Sequence, residues 1–324
     1  MCKVLVTGAN GFLAGNTINE LLKRSYKVRG MHRKPAKLNI DHKNLSVYTG
    51  NITDEKDASE AVEGCKMVIH IAALTDQSVA DYNIYKEVNI GGTLNIIKAA
   101  LEHKVTRIIY VSTANTFGYG TKDNPGDETL PMTLPFTKSG YARSKFEAQK
   151  LIIEKLADSG TIVSVVNPTF MIGPHDYKIS SNRIIIRALG KQRVVIPPGG
   201  KNFIHVSDAA AGVCNALEHG ENGECYILGN ENLSYHDFYT KMAEVTKKEL
   251  RLVKIPERLL LAAGIAGNIV RSAGINTQLG LTNMRILSTG NYYSAGKAVK
   301  YLGLPATPVE KAIEEAVRWF RNLA

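Results

Sequence analysis

Cysteine is scarce: the 324 residues include four, Cys2, Cys65, Cys214 and Cys225. They have neither the spacing of a metal site nor that of a redox pair, so no metal is expected. Cys2 and Cys65 fall in or beside apolar segments, where buried free thiols are expected. Long hydrophobic runs are also missing. The apolar stretch 259–270 is 12 residues long and bracketed by Arg258 and Arg271. As a helix it would reach about 18 Å, short of the ~30 Å hydrocarbon core, so no transmembrane segment is expected. Core packing is its expected use, with covering a cleft or touching a membrane surface as the alternatives. The first strand is expected from residue 3, which leaves no room for a signal or transit peptide; a cytoplasmic protein is expected. Basic blocks are lacking too. The net charge of +10 is spread along the chain, with modest density only at 29–37. That excludes an obvious nucleic-acid surface and suits an anionic cofactor. Repeats and low-complexity tracts are absent.

What is present begins at the first residues. Lys3-Val4-Leu5-Val6 has the length and β-branching of a buried strand. Thr7-Gly8-Ala9-Asn10-Gly11-Phe12-Leu13-Ala14-Gly15 follows, and the apolar spacing then turns helical through Ile18, Leu21 and Leu22. A strand feeding a glycine-rich turn that opens a helix brings backbone N–H groups and a helix dipole onto a pyrophosphate. Further strands are expected at 28–31, 45–48, 67–72, 107–112 and 161–166. They alternate with helices at 12–23, 54–63, 81–103 and 138–159. That rhythm predicts an α/β fold, a doubly wound parallel sheet, with ligands beyond the carboxyl ends of the strands.

The strand ends carry the candidate residues. After the second strand stand Arg33 and Lys37, with no carboxylate between Glu20 and Asp41. An Arg fork matches a 2′-phosphate, whereas a carboxylate would accept from a 2′-hydroxyl, so NADP(H) is favoured over NAD(H). Asn51 and Ile52 follow the third strand and could meet the adenine edge. Ala72, Ala73 and Leu74 follow the fourth, where small residues permit close approach to ribose and pyrophosphate. His70 is expected to be a satisfied strand residue. Tyr141 and Lys145 share one helix face at i and i+4, and a neighbouring ammonium is expected to lower the phenol toward neutrality. The same Tyr-x-x-x-Lys pattern occurs at Tyr82/Lys86 and Tyr293/Lys297. Only Tyr141/Lys145 lies between a hydroxyl-bearing strand end and the next strand, so position in the fold selects it.

Together with Val88-Asn89-Ile90-Gly91-Gly92-Thr93, Tyr110-Val111-Ser112-Thr113, Asn167-Pro168-Thr169 and Phe203-Ile204-His205-Val206-Ser207-Asp208, these motifs resemble the extended short-chain dehydrogenase/reductase family. The likeness is greatest to its dihydroflavonol-reductase-like branch, beside the NAD(P)-dependent epimerases and dehydratases, and it covers nearly the whole chain. The resemblance implies a catalytic set of Thr113, Tyr141 and Lys145, with Asn89 a fourth member of the proton relay. It implies cofactor contacts from Gly8, Asn10, Gly11, Phe12, Leu13, Arg33, Lys37, Asn51, Ile52, Ala72, Ala73, Leu74, Tyr141, Lys145 and Pro168. Substrate contacts are expected from Thr113, Ala114, Tyr141, Phe170 and Tyr177. Ala14 stands where the family usually has a third glycine, and Asn51 where it usually has Asp. Gly118 stands where plant dihydroflavonol reductases commonly have Asn, which argues against a flavonoid substrate.

Two units are expected: a dinucleotide-binding one from 1–172 and 203–229, and a smaller substrate-binding lid from 173–202 and 230–324. Thr307-Pro308-Val309-Glu310 reads as a capping box for the last helix. The expected activity is reduction of a ketone or aldehyde by NADP(H), on a small-molecule substrate, by a monomer or homodimer. A nucleotide-sugar epimerase or dehydratase, and a cofactor-sensing regulator without turnover, are the alternatives.

Overall fold

The computed structural model describes residues 3–33 and 38–323. Seven parallel strands form one sheet in the order Cys225–Leu228, β6 (Ile162–Pro168), β5 (Arg107–Val111), β4 (Met67–His70), β1 (Lys3–Thr7), β2 (Lys27–His32) and β3 (Leu45–Thr49). The order reverses between β1 and β4, which opens a crevice at their carboxyl ends. The inner strands are buried on both faces because each face is covered by helices, whereas β3 at the edge is largely exposed. α1 (Phe12–Lys23) and the helix Val206–His219 lay Leu13, Ile18, Leu21, Val213 and Leu217 against one face. α2 (Glu55–Val62) and the helices Gly92–Glu102 and Gly140–Leu156 lay Val62, Ile96, Ile152 and Leu156 against the other. Each fully buried branched side chain stabilises this sandwich by about 1.5–3 kcal/mol.

Four expectations change here. β4 stops at His70, not at residue 72, because the Thr7 hydroxyl oxygen accepts the N–H groups of Ile71 (3.1 Å) and Ala72 (3.0 Å) and ends the ladder. The single helix expected over 81–103 is a short α-turn Tyr82–Tyr85, a π-turn Lys86–Gly91 and the α-helix Gly92–Glu102. The strand containing Phe203, Gly200–His205, joins a smaller four-stranded sheet with Phe170–Ile172, Glu231–Ser234 and Gly290–Asn291, and only Cys225–Leu228 returns to the large sheet. The capping box does not form. Thr307 donates its N–H and hydroxyl to Asp208 (2.6 and 2.9 Å), Glu310 pairs with Lys241, and the Glu231 carboxylate accepts from the Val309 N–H (2.8 Å).

The last helix, Val309–Leu323, does bury Val309, Ile313, Ala316 and Val317 on one face as its spacing predicts. Ala298, Leu302 and Leu304 pack into the core around α1. The helix Glu257–Ser272 departs furthest from expectation. Leu260, Gly264 and Gly267 are buried, but Leu259, Ile265, Ile269 and Val270 are exposed rather than packed in a core. No helix among the described residues is long and apolar enough to cross a membrane. Cys65 and Cys214 are buried free thiols and Cys225 is half-buried; Cys2 lies outside the described residues.

Candidate active site

Thr7 hands the chain to Gly8, whose φ of 73° is left-handed. A Cβ at Gly8 would come within 3.0 Å of the Ala72 Cα, so glycine is needed for the turn and for the close approach of the two strand ends. Gly11 precedes α1 in extended conformation, and no side chain caps the helix. The first-turn N–H groups of α1 are therefore not claimed by a side-chain cap, and with the helix dipole they suit a pyrophosphate. Phe12 and Leu13 turn toward the core beneath this turn. The residues present fit a dinucleotide.

The rim of the turn is basic. Asn10 accepts a hydrogen bond from the Lys178 ammonium (2.9 Å), which crosses from the second half of the chain. Burial lowers the Lys178 pKa, and the nearby Arg33 charge lowers it further. Arg33 is exposed, and Lys37 lies outside the described residues. Asn51 is engaged locally: its side-chain oxygen accepts from the Thr53 N–H (3.3 Å) and its own N–H donates to Asp57 (2.7 Å). Ile52 is buried against Gly92, where a Cβ would sit 2.6 Å from its side chain, and Asn95 donates to its carbonyl (3.0 Å).

Beneath the crevice Thr7, His70, Thr93, Asn89 and Ser144 form one hydrogen-bonded chain. The Thr93 hydroxyl donates to the Asn89 carbonyl (2.6 Å), so the His70 Nε2–H donates to Thr93 (3.1 Å) and Nδ1 accepts from Thr7 (2.8 Å). Burial and the Lys145 charge push His70 down to about 3, which keeps it neutral, a satisfied strand residue as expected. Asn89, turned inward on the π-turn, accepts from the Leu74 N–H (2.7 Å) and donates to the Leu74 carbonyl (3.2 Å). It also donates to the Ser144 hydroxyl (2.8 Å), which donates to the Tyr141 carbonyl (2.9 Å). Asn89 thus ties the loop after β4 to the helix that carries Tyr141. These contacts suit a positioning residue better than a relay.

That helix begins cleanly because the Ser139 hydroxyl caps the Ala142 N–H (3.3 Å). One turn then sets Tyr141 above Lys145. The Thr113 hydroxyl lies near enough to the Tyr141 phenol to lower its pKa, and Thr113 itself caps the short turn Ala114–Thr116 after β5. Lys145 is buried with its ammonium 4.1 Å from the centre of the Tyr110 ring. Burial lowers Lys145 to about 7 and raises Tyr141 to about 12, with the Thr113 hydroxyl pulling Tyr141 back. The expected lowering of the phenol by its neighbouring ammonium does not appear: desolvation is the largest cause at Tyr141, and Lys145 is not among the groups that shift it.

The other expected residues scatter. Pro168 ends β6 beside Thr169, whose hydroxyl bonds Asn202 (2.9 Å). Ala114 packs with Phe117, Ile227 and Tyr293 in a small buried cluster instead of facing the crevice. Phe170 lies edge-on to Phe203, with ring centres 5.4 Å apart. Tyr177 packs on Trp319, 5.1 Å between centres, and stands next to Lys178 at the turn's rim. Tyr82 donates to Glu147 (2.7 Å), and Lys297 pairs with Glu224 (2.5 Å), so the two competing Tyr-x-x-x-Lys pairs are occupied elsewhere. Lys178 was not anticipated. Its partner Asn10 is 168 positions away, and no local pattern marks the pairing.

The family model for the NAD dependent epimerase/dehydratase family matches residues 4–229. A Synechocystis sp. protein carrying a dihydroflavonol 4-reductase name is 29% identical over 98% of this chain and 94% of its own. A 3-beta-hydroxysteroid dehydrogenase of Mycolicibacterium neoaurum is 27% identical over 99% of this chain and 92% of its own. Among solved structures, that of gox2253 superposes with a TM-score of 0.85 at 28% identity, covering 100% of this chain and 99% of that one.

Proposed function

Because the chain belongs to the NAD dependent epimerase/dehydratase family, we propose that it is an NADP(H)-dependent reductase of ketones or aldehydes, reversible as an alcohol dehydrogenase. The observation that carries this reading is the gathering of Thr113, at the end of β5, with Tyr141 and Lys145, one helical turn apart on the helix Gly140–Leu156. When bound, the nicotinamide supplies the hydride. Thr113 donates to the substrate oxygen and Tyr141 delivers the proton to it. A phenol raised to about 12 by burial is protonated at neutral pH, which is the form a general acid needs. Lys145, one helical turn on, would hold the nicotinamide ribose, and Asn89 holds Tyr141 and the Leu74 loop in register.

Preference for the 2′-phosphate form rests on two cations. Arg33 and Lys178 converge at the rim of the glycine turn, and the second strand carries no carboxylate after it. The name of one relative, a 3-beta-hydroxysteroid dehydrogenase, favours an apolar carbonyl compound. Phe170, partly buried at the start of the strand Phe170–Ile172, suits such a substrate. A screen of NADPH oxidation across aldehydes, ketones, steroids, dihydroflavonols and nucleotide sugars tests the reading. Turnover of an apolar carbonyl compound is expected. Interconversion of nucleotide sugars without net cofactor oxidation would overturn it in favour of an epimerase, and silence on every substrate in favour of a cofactor sensor.

A further inference from the structure

The helix Glu257–Ser272 is packed on one side only. A Cβ at Gly264 would lie 2.8 Å from the Leu281 Cα, and one at Gly267 would lie 2.0 Å from the Leu279 carbonyl. Two glycines thus let this helix press closely on the segment that follows it. The opposite side carries Leu259, Ala262, Ile265, Ala266, Ile269 and Val270, all exposed or partly so; Leu259 is 61%, Ile265 56% and Ile269 68% exposed. At 100° per residue these positions form an arc about 140° wide. Within the arc the one polar residue is Arg258, at its amino-terminal end. Exposed Ile275 and Leu279 extend the apolar surface past the helix.

The helix itself carries Arg258 on the arc and Arg271 at its far end against one carboxylate, Glu257, which stands off the arc. From Arg258 to Val309 the sequence has no Asp or Glu, while it has Arg258, Arg271, Arg285, Lys297 and Lys300. The face also has a fixed place relative to the crevice. Arg271 donates to the Gln77 carbonyl (2.7 Å), and so does Asn283 (3.2 Å). Gln77 continues the loop from Leu74, which Asn89 grips. The helix is therefore anchored to the edge of the candidate site.

We propose that this helix face docks the protein on an anionic lipid bilayer, lying in the plane of the interface. A helix of 16 residues is about 24 Å long, suited to lying along the headgroup boundary with its apolar arc among the acyl chains. Anionic headgroups complement Arg258, which stands on the arc. A second copy of the chain would not, because it would set the same arginine on its own face with no carboxylate there to pair it. The inference stands on the exposed helix alone and is independent of the reaction the site performs.

The test is co-sedimentation of the full chain with phosphatidylcholine vesicles, with and without about a third phosphatidylserine. Binding at least about tenfold stronger to the anionic vesicles is expected, weakening at high salt. Ile265→Asp with Ile269→Asp should lose about tenfold or more of that binding while NADPH affinity and Tm stay unchanged. Arg258→Gln, which leaves the apolar arc intact, should weaken binding to the anionic vesicles alone. Failure of the unmodified protein to sediment with either vesicle would overturn the proposal. So would equal binding by the double variant. A dimer in light scattering that the double variant converts to monomer would assign the face to a second copy and overturn it as well.

Discussion

The floor and the rim of the crevice are built on opposite physical terms. The floor is buried, and its polar groups answer one another through short side chains: Thr7 to His70, His70 to Thr93, Asn89 to Leu74 and Ser144. Each such group costs about 1–3 kcal/mol if left unpartnered, so the network admits one arrangement. The rim is made of long, solvent-facing cations on separate parts of the chain, Arg33 after β2 and Lys178 from the second half. Water screens them, and each can be lost without disturbing the fold. Position is fixed below and charge is offered above. Changes to the floor should therefore act on turnover, and changes to the rim on cofactor choice.

The largest expected effect is at the floor. Tyr141→Phe removes the proton donor while leaving the ring in place. Carbonyl reduction should fall by about 10²–10⁴-fold, the usual contribution of a positioned acid. NADPH affinity, read by fluorescence titration, should change little. Full activity in this variant would remove the catalytic assignment, and a collapse of cofactor affinity would mean that floor and rim are not separable.

At the rim the effect is smaller and selective. Arg33→Ser and Lys178→Ala should each weaken NADPH binding by about tenfold, since a charge-assisted hydrogen bond is worth roughly 1.5–3 kcal/mol before solvent screening reduces it. NADH binding should be unaffected, so the ratio of the two affinities is the quantity to measure. If Arg33→Ser changes the ratio and Lys178→Ala does not, the lysine's hydrogen bond to Asn10 serves only to hold the second half of the chain against the turn.

The same contrast explains how far the sequence could be read. Gly8 and Gly11, the alternating strands and the Tyr141/Lys145 spacing are local signals, and the large sheet and the placing of these residues at its carboxyl edge follow from them. The π-turn at Lys86–Gly91 was not legible, because its cause is tertiary: Asn89 is held by Leu74 and Ser144. Lys178 was hidden for a similar reason. The Tyr141 environment was misjudged because spacing shows which charge is near a group but not how much water is removed from both. Thr307 and Glu310 had the spacing of a capping box, yet Asp208 and Lys241 from distant elements took both side chains.

The smallest expected effect separates burial from chemistry, by comparing the floor's Lys145 with a lysine outside it. Half-buried Lys201, on the strand Gly200–His205, has its ammonium 5.9 Å from the centre of the Phe136 ring, and burial lowers it to about 7, as for Lys145. Between about 7 and its ordinary value of 10.5 the unfolded chain holds a proton on this lysine that the folded one has released. Folding stability should therefore rise with pH across that window and be lowest below it, where the folded protein must keep the buried ammonium charged. Lys201→Met removes this penalty without opening a cavity. Thermal unfolding should show the variant more stable than the parent at pH 6 by about 2–4 °C in Tm, the shift produced by about 1 kcal/mol in a domain of roughly 150–250 residues. The gap should narrow as pH approaches about 10. Carbonyl reduction should stay near the parental rate if Lys201 is a buried charge and nothing more. A loss of turnover with no gain in Tm would instead make its ammonium part of the crevice, and the division between a rigid floor and a charged rim would need a second buried cation.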